Sequence, residues 1–114
     1  MPVKLVLDRD AAVACENCAV ADTPLRRLKG LLGKKELQPG EGLLLRPASA
    51  IHTFFMRFPI DVVFLDRELH VLGLATNLRP WRAAGRRGAR AVLELPAGEC
   101  ERRDIRPGDR LEAG

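Results

Sequence analysis

The chain has 114 residues, enough for one domain spanning 1–114 with a core of its own and too few for two. Hydrophobic residues at 46% and charged residues at 30% exclude extensive disorder, and 8 Pro with 10 Gly predict many turns. The 19 Lys and Arg against 15 Asp and Glu leave a net charge of +4 that is unevenly spread.

Val3, Leu5 and Leu7 alternate along a predicted first strand, and Asp8-Arg9-Asp10 makes a polar turn into a second apolar run from Ala11 to Ala21, which reads as a hairpin. The start is too short and too weakly apolar for a signal peptide, and no run approaches the ~20 apolar residues of a membrane span. Together with three cysteines, an odd number, this predicts a cytoplasmic protein. Thr23-Pro24 then sets an N-cap and first turn, and Leu25, Leu28, Leu31 and Leu32 fall at helical spacing before Gly33, predicting one amphipathic helix over 23–33. Gly30 within it suggests close packing.

Leu37-Gln38-Pro39-Gly40-Glu41-Gly42-Leu43 is a turn feeding a short strand that stops at Arg46-Pro47, and Ile105-Arg106-Pro107-Gly108-Asp109-Arg110-Leu111 repeats its pattern. In each, Pro fixes φ, Gly makes the tight turn and the acid can accept from turn amides. This pairing is similar to the paired Gly-Asp turns of small cradle-loop barrels. Between them lies the block from Ile51 to Asp66, with all four phenylalanines. It is apolar on both strand faces and broken by Phe58-Pro59, so it predicts two strands, 51–58 and 60–66, covered on both sides. Asp66-Arg67-Glu68 turns into a strand from Leu69 to Ala75, residues 76–88 form a long loop holding the only Trp, and 89–95 form another strand. Glu99 to Asp104 make a helical turn or two before the last short strand.

His52-Thr53, Phe55-Met56-Arg57, Ile60 through Asp66, Leu78-Arg79-Pro80-Trp81-Arg82, Val92 through Gly98, and Ile105 through Leu111 together resemble the bacterial and archaeal family known as domain of unknown function one hundred and ninety-two. The resemblance covers roughly residues 5–112. It implies a small α+β barrel domain and supplies no chemistry. Many members carry an N-terminal signal or anchor, which the start of this chain does not suggest.

Several arrangements are candidates for chemistry. Cys15-Glu16-Asn17-Cys18 has the spacing of a zinc or redox pair, but positions three apart on a strand face opposite sides, so two buried small side chains are the simpler reading. Cys18 or Cys100 beside His52 would make a nucleophile and base. Ser49, the only serine, with His52 and Asp61 lacks a nucleophile-elbow motif. The set preferred as a binding site is His52, Thr53, Arg57 and Asp61 around the bend, with Arg79, Trp81 and Arg82 in the long loop and Glu94 in a strand. Arg57 and Asp61, set in apolar sequence, are expected to pair with each other.

The sequence therefore predicts an α+β domain, a small, strongly bent antiparallel β-barrel with one helix. It is expected to act as a non-catalytic binding or accessory module for an anionic small molecule or a protein partner, with no metal or cofactor. The alternatives are a hydrolase-type enzyme using His52 and Asp61, and an RNA-binding domain using Arg79, Arg82, Arg86, Arg87 and Arg90 with the basic helix; nucleic acid is not favoured.

Overall fold

The computed structural model describes residues 2–114. Nine strands and two short helices follow in the order β1 (Val3–Leu7), β2 (Val13–Ala21), α1 (Pro24–Lys29), β3 (Glu41–Leu45), β4 (Ala50–His52), β5 (Ile60–Leu65), β6 (Val71–Leu78), β7 (Ala83–Gly85), β8 (Ala91–Pro96), α2 (Glu99–Arg102) and β9 (Leu111–Ala113). Seven strands form one sheet in the order β6-β5-β8-β3-β2-β1-β9, and β4 pairs with β7 apart from it.

The barrel expected from the sequence is only partly realised. The sheet curls into a half-barrel, not a closed cylinder, and β2 and β3 run parallel where an all-antiparallel order was expected. Register shifts in the β1–β2 and β5–β6 pairs supply the bends. The curl brings the start of β6 against the last turn, where His70 bridges Arg110, the Leu111 amide donates to the Leu69 carbonyl, the Val71 amide donates to the Asp109 carbonyl and the Gly108 amide donates to the Val71 carbonyl.

Strand alternation sorts the core onto two faces. Leu44, Val63, Leu65, Leu93 and Leu95 point into the curl with Leu7, Ile105 and Leu111. Leu43, Leu45, Ile60, Val62, Phe64 and Val92 point the other way, against Leu31, Leu37 and Met56. The central strands are thus apolar on both sides, as expected for a sheet covered twice. Gly42 is required where β3 crosses this core, because a Cβ there would lie 2.8 Å from the Cys15 sulfur and 2.9 Å from Leu95.

The two Pro-Gly-acid turns adopt matching geometry. Gly40 and Gly108 take φ of 91° and 93°, the left-handed region that glycine enters without strain. Glu41 accepts from the Gln38 amide at 2.8 Å and Asp109 from the Arg106 amide at 2.8 Å.

Two predicted elements change. The helix stops at Lys29, where Gly30 takes φ of 49° as its cap, so Gly30 ends α1 and does not pack it. Its leucine stripe is split: Leu25 and Leu28 are 77% and 74% exposed, while Leu31, beyond the cap, is buried. The predicted strand over 51–58 survives only as β4, and 53–59 turn back as a loop with Phe55 at φ of 66°. Conversely, the predicted loop 76–88 contains the end of β6 and all of β7. Among the described residues, no helix is long and apolar enough to cross a membrane.

Candidate functional site

The loop after β4 is built around Thr53, which is fully buried. Its hydroxyl donates to the Arg79 carbonyl and accepts from the Arg82 amide at 2.9 Å. Its backbone carbonyl accepts from the Met56 and Trp81 amides at 3.2 and 3.0 Å. One residue therefore fastens two loops together and holds Phe55 and Trp81, both at φ of 66°, in a conformation that costs a non-glycine residue of order 1 kcal/mol or more. Strain of that kind persists where the surroundings enforce it, and here it presents aromatic rings to solvent.

Phe55 and Trp81 are 71% and 56% exposed, and Phe54 is half-exposed. His52 stacks on Phe54 at 4.8 Å between ring centres, Phe54 on Trp81 at 5.9 Å, and Phe55 meets Trp81 edge-on at 4.6 Å. The central block is therefore not wholly core, and Trp81 stands at the surface. Thr53→Val keeps the shape but removes the hydroxyl, leaving a buried amide and carbonyl without their partner. It is expected to destabilise the fold by about 1–3 kcal/mol and to shift the emission of the single tryptophan. A urea titration followed by that fluorescence checks both, and an unchanged spectrum and midpoint would remove Thr53 from this role.

The aromatic row starts at the mouth of a cavity of about 240 Å³, which lies between α1 with the residues after it and β4 with Met56. Leu31, Leu45, Ile51 and Met56 give it apolar walls, Arg27, Lys29 and His52 line it, and Glu94 closes its base. Glu94 stands on the same face of β8 as Val92, and its cross-strand neighbours are Leu43 on β3 and Val62 on β5. It is only 3% exposed, no hydrogen bond or ion pair among the described residues reaches its carboxylate, and since no sealed-off side-chain oxygen is left unsatisfied, its oxygens touch the cavity space. Burial alone pushes its pKa up from 4.5 to about 7. A buried carboxyl without a partner is costly, and such a group facing a cavity is a signature of a site. The larger groove on the other side of residues 30–37 has an acid too, Glu41, but its carboxylate is already bonded to the Gln38 amide.

Asp61 lies on the opposite face of the sheet. Its carboxylate accepts from the Asn77 amide at 2.8 Å and from the Gly98 and Cys100 amides at 3.0 Å each. It does not pair with Arg57, which is exposed, and it does not share a cleft with His52. His52 instead turns its Nδ1 toward the Phe54 amide at 3.3 Å. The hydrolase arrangement of His52 with Asp61 is thus not assembled, nor is that with Ser49. Cys18 and Cys100 also lie in the core on Asp61's side, away from His52.

Cys15 and Cys18 both face that core. Val3 pairs with Cys18 and Leu5 with Cys15, so Glu16 and Asn17 of β2 oppose the single Lys4 of β1, and this bulge turns both thiols inward. The hydrogen bond with Cys15 and burial push the Cys18 thiol up, and burial with the nearby Asp61 pushes Cys100 up to about 12. The same hydrogen bond pulls the Cys15 thiol down, so only Cys18 and Cys100 are inert core thiols. Asp66, Glu68 and His70 come together at the β5–β6 turn, but Asp66 is occupied by the Glu68 and His70 amides at 2.9 and 2.8 Å. The arginines at 79, 82, 86, 87 and 90 are exposed on and around β7, outside the cavity.

Of the residues singled out in the sequence, the structure thus gathers His52 and Glu94 at the cavity, with Thr53 and Trp81 beside it. Arg57 and Arg79 stay at the surface around the loops, and Asp61 goes to the other face. The cavity walls Leu31, Ile51 and Met56 were not anticipated. Nothing in local sequence sets them apart from core.

A family model described as "Uncharacterized ACR" matches residues 5–113. The chain is 35% identical over 100 residues to a UPF0127 protein of Pyrococcus abyssi, covering 82% of each. A crystal structure of a protein of unknown function from Novosphingobium aromaticivorans superposes with a TM-score of 0.83 at 27% identity, over 98% of this chain and 84% of that one. A putative transcription regulator from Sinorhizobium meliloti superposes with a TM-score of 0.85 over 97% and 91% of the two chains. At 24% identity the second likeness shows the fold alone.

Proposed function

The chain belongs to the family of domain of unknown function 192, and from that premise we propose that it is a non-catalytic binding module whose site is the cavity based on Glu94. The observation that carries the reading is the carboxyl of Glu94, on a residue 3% exposed, without a protein partner and lining that space. A fold that needed only stability at this position would place another Leu or Val there, as β3 and β5 do opposite it. Beside Glu94 the cavity is lined by His52 and Lys29 but by no hydroxyl, thiol or second carboxyl, which favours binding over catalysis. The volume lies below the ~300–1,000 Å³ that encloses a drug-sized molecule, so the ligand is small or is one side chain of a larger partner.

Arginines at the surface suggested an anion, but the cavity itself ends on an acid. Its ligand is one that brings hydrogen-bond donors to a carboxylate. The arginines and the aromatic row are left to contact what projects from the mouth, by charge and by stacking. The test is a screen of the full chain by amide and methyl NMR against a library of small amines, alcohols, amides and carboxylates. Shifts centred on Glu94, Ile51 and Met56 are expected, and Glu94→Gln should weaken them about tenfold or more, in line with the 1.5–3 kcal/mol of a hydrogen bond to a charged group. A library that leaves these residues unmoved defeats the proposal.

A further inference from the structure

The groups around Glu94 select among the ligands that a binding cavity could hold. Its neighbours across β3 and β5 are apolar, β4 contributes His52, and α1 contributes Arg27 and Lys29. Neither of those two cations reaches the carboxylate, so its charge is uncompensated when it ionises. Resting on the reading above, we infer that the cavity takes a primary ammonium on a short aliphatic stem, with the ammonium on Glu94 and the stem against Leu31, Leu45, Ile51 and Met56.

An ionised carboxylate only accepts hydrogen bonds, and an ammonium offers three donors and the opposite charge from a compact head. A hydroxyl offers one donor and leaves the charge uncompensated. A carboxylate ligand is repelled unless Glu94 is protonated. The four aliphatic and thioether side chains match a methylene stem, which releases about 0.8 kcal/mol for each CH₂ buried. Beyond His52, which lines the cavity, Phe54 and the half-exposed Trp81 continue the aromatic row, and an exposed ring face attracts an approaching cation. The stem and ammonium are those of a free alkylamine or of a lysine side chain on a partner, and the exposed Leu25 and Leu28 of α1 extend the apolar surface around the same opening.

The inference fixes the sign of a pH dependence. The ammonium stays charged to about pH 10, so only Glu94 needs to change state. Its ionised form binds, and its pKa of about 7 makes the apparent affinity about tenfold higher at pH 8 than at pH 6. A ligand that accepts a proton from the neutral acid shows the reverse slope. His52 lines the same cavity, so His52→Gln serves as the control for that slope.

Calorimetry and NMR titrations of the full chain with n-butylamine, Nα-acetyl-lysine methylamide, n-butanol and butyrate at pH 6 and pH 8 form the experiment. Expected are binding of an amine at Glu94, about tenfold tighter at pH 8, abolished in Glu94→Gln and retaining its slope in His52→Gln. Tight binding of butylamine with weak binding of the lysine derivative assigns a free amine; comparable binding of both assigns a lysine of a partner. Preference for butanol or butyrate, amine affinity that falls with pH, or no amine binding overturns the ammonium. If other members of the library still shift Glu94 in that event, the binding cavity stands; if none does, both readings fall together.

Discussion

Glu94→Gln is expected to stabilise the protein at pH 8 by up to about 3 kcal/mol and to leave it nearly unchanged near pH 4. The sign follows from proton binding in the two states. The unfolded chain releases this proton near 4.5, whereas burial holds it on the folded chain to about 7. Between those values the folded state carries more protons, so stability falls as pH rises, and above about 7 the full cost of the buried charge is present. The difference between the two values, at 1.36 kcal/mol for each pH unit, gives the figure of about 3 kcal/mol. Glu16, Asp66, Glu99 and Asp104 have lowered pKa values through their arginine, histidine and turn partners. Their stabilisation is lost as pH falls, but it is common to both proteins and cancels in the difference. Urea unfolding of the two proteins from pH 4 to pH 8 measures it. Equal midpoints at every pH would mean that Glu94 is compensated after all. A gain that grows from about pH 4.5 and levels off above about 7 would mark a residue kept at the expense of stability, as binding residues often are.

The sequence made the regular parts of this fold legible because their side-chain periods are local. The alternation of Val3, Leu5 and Leu7, the apolar runs of β5 and β8, and both Pro-Gly-acid turns carry their own instructions. The apolar stretch from Thr53 to Phe58 carried none, since a segment that is apolar at nearly every position has no period by which strand and loop differ. What turns it is the Thr53 hydroxyl meeting a carbonyl and an amide 26 and 29 residues further on. The same limit applies at Cys15 and Cys18, where a bulge reverses the facing that strict alternation gives. Glu94 and Asp61 were both visible as acids in apolar strands. Which of them would find partners depended on elements remote in the chain. Asp61 met amides 16, 37 and 39 residues further on, at Asn77, Gly98 and Cys100, while Glu94 met Leu43 and Val62.

Asp61→Ala is expected to cost about 4 kcal/mol, with Asp61→Asn about half of that, because this carboxylate serves as a structural cap. Its two oxygens take three backbone amides in a site that is 1% exposed. One is the amide of Asn77, which bends with φ of 51° at the end of β6; the other two open α2, whose own cap residue, Gly98, has no side chain to offer. Helix-opening amides without an acceptor are costly when buried, and a negative charge is well placed among them. Removing the carboxyl strands one buried and two part-buried donors at about 1–3 kcal/mol each, less what water recovers at the latter two. Asparagine keeps one acceptor oxygen and sets an NH₂ group against the remaining donor. Arg57→Gln discriminates this account from the ion pair that the sequence suggested. Arg57 is exposed and does not touch Asp61, so its loss should lie within about 0.5 kcal/mol of zero. Matching losses for Asp61→Ala and Arg57→Gln in urea titrations would instead mean that the charge pair forms and that the amides are satisfied some other way. Because Asp61 and Glu94 face opposite sides of the sheet, Asp61→Asn should also leave the pH-dependent gain from Glu94→Gln intact. Additivity of the two substitutions in a double-mutant cycle would show that the acid holding the fold and the acid lining the cavity act independently.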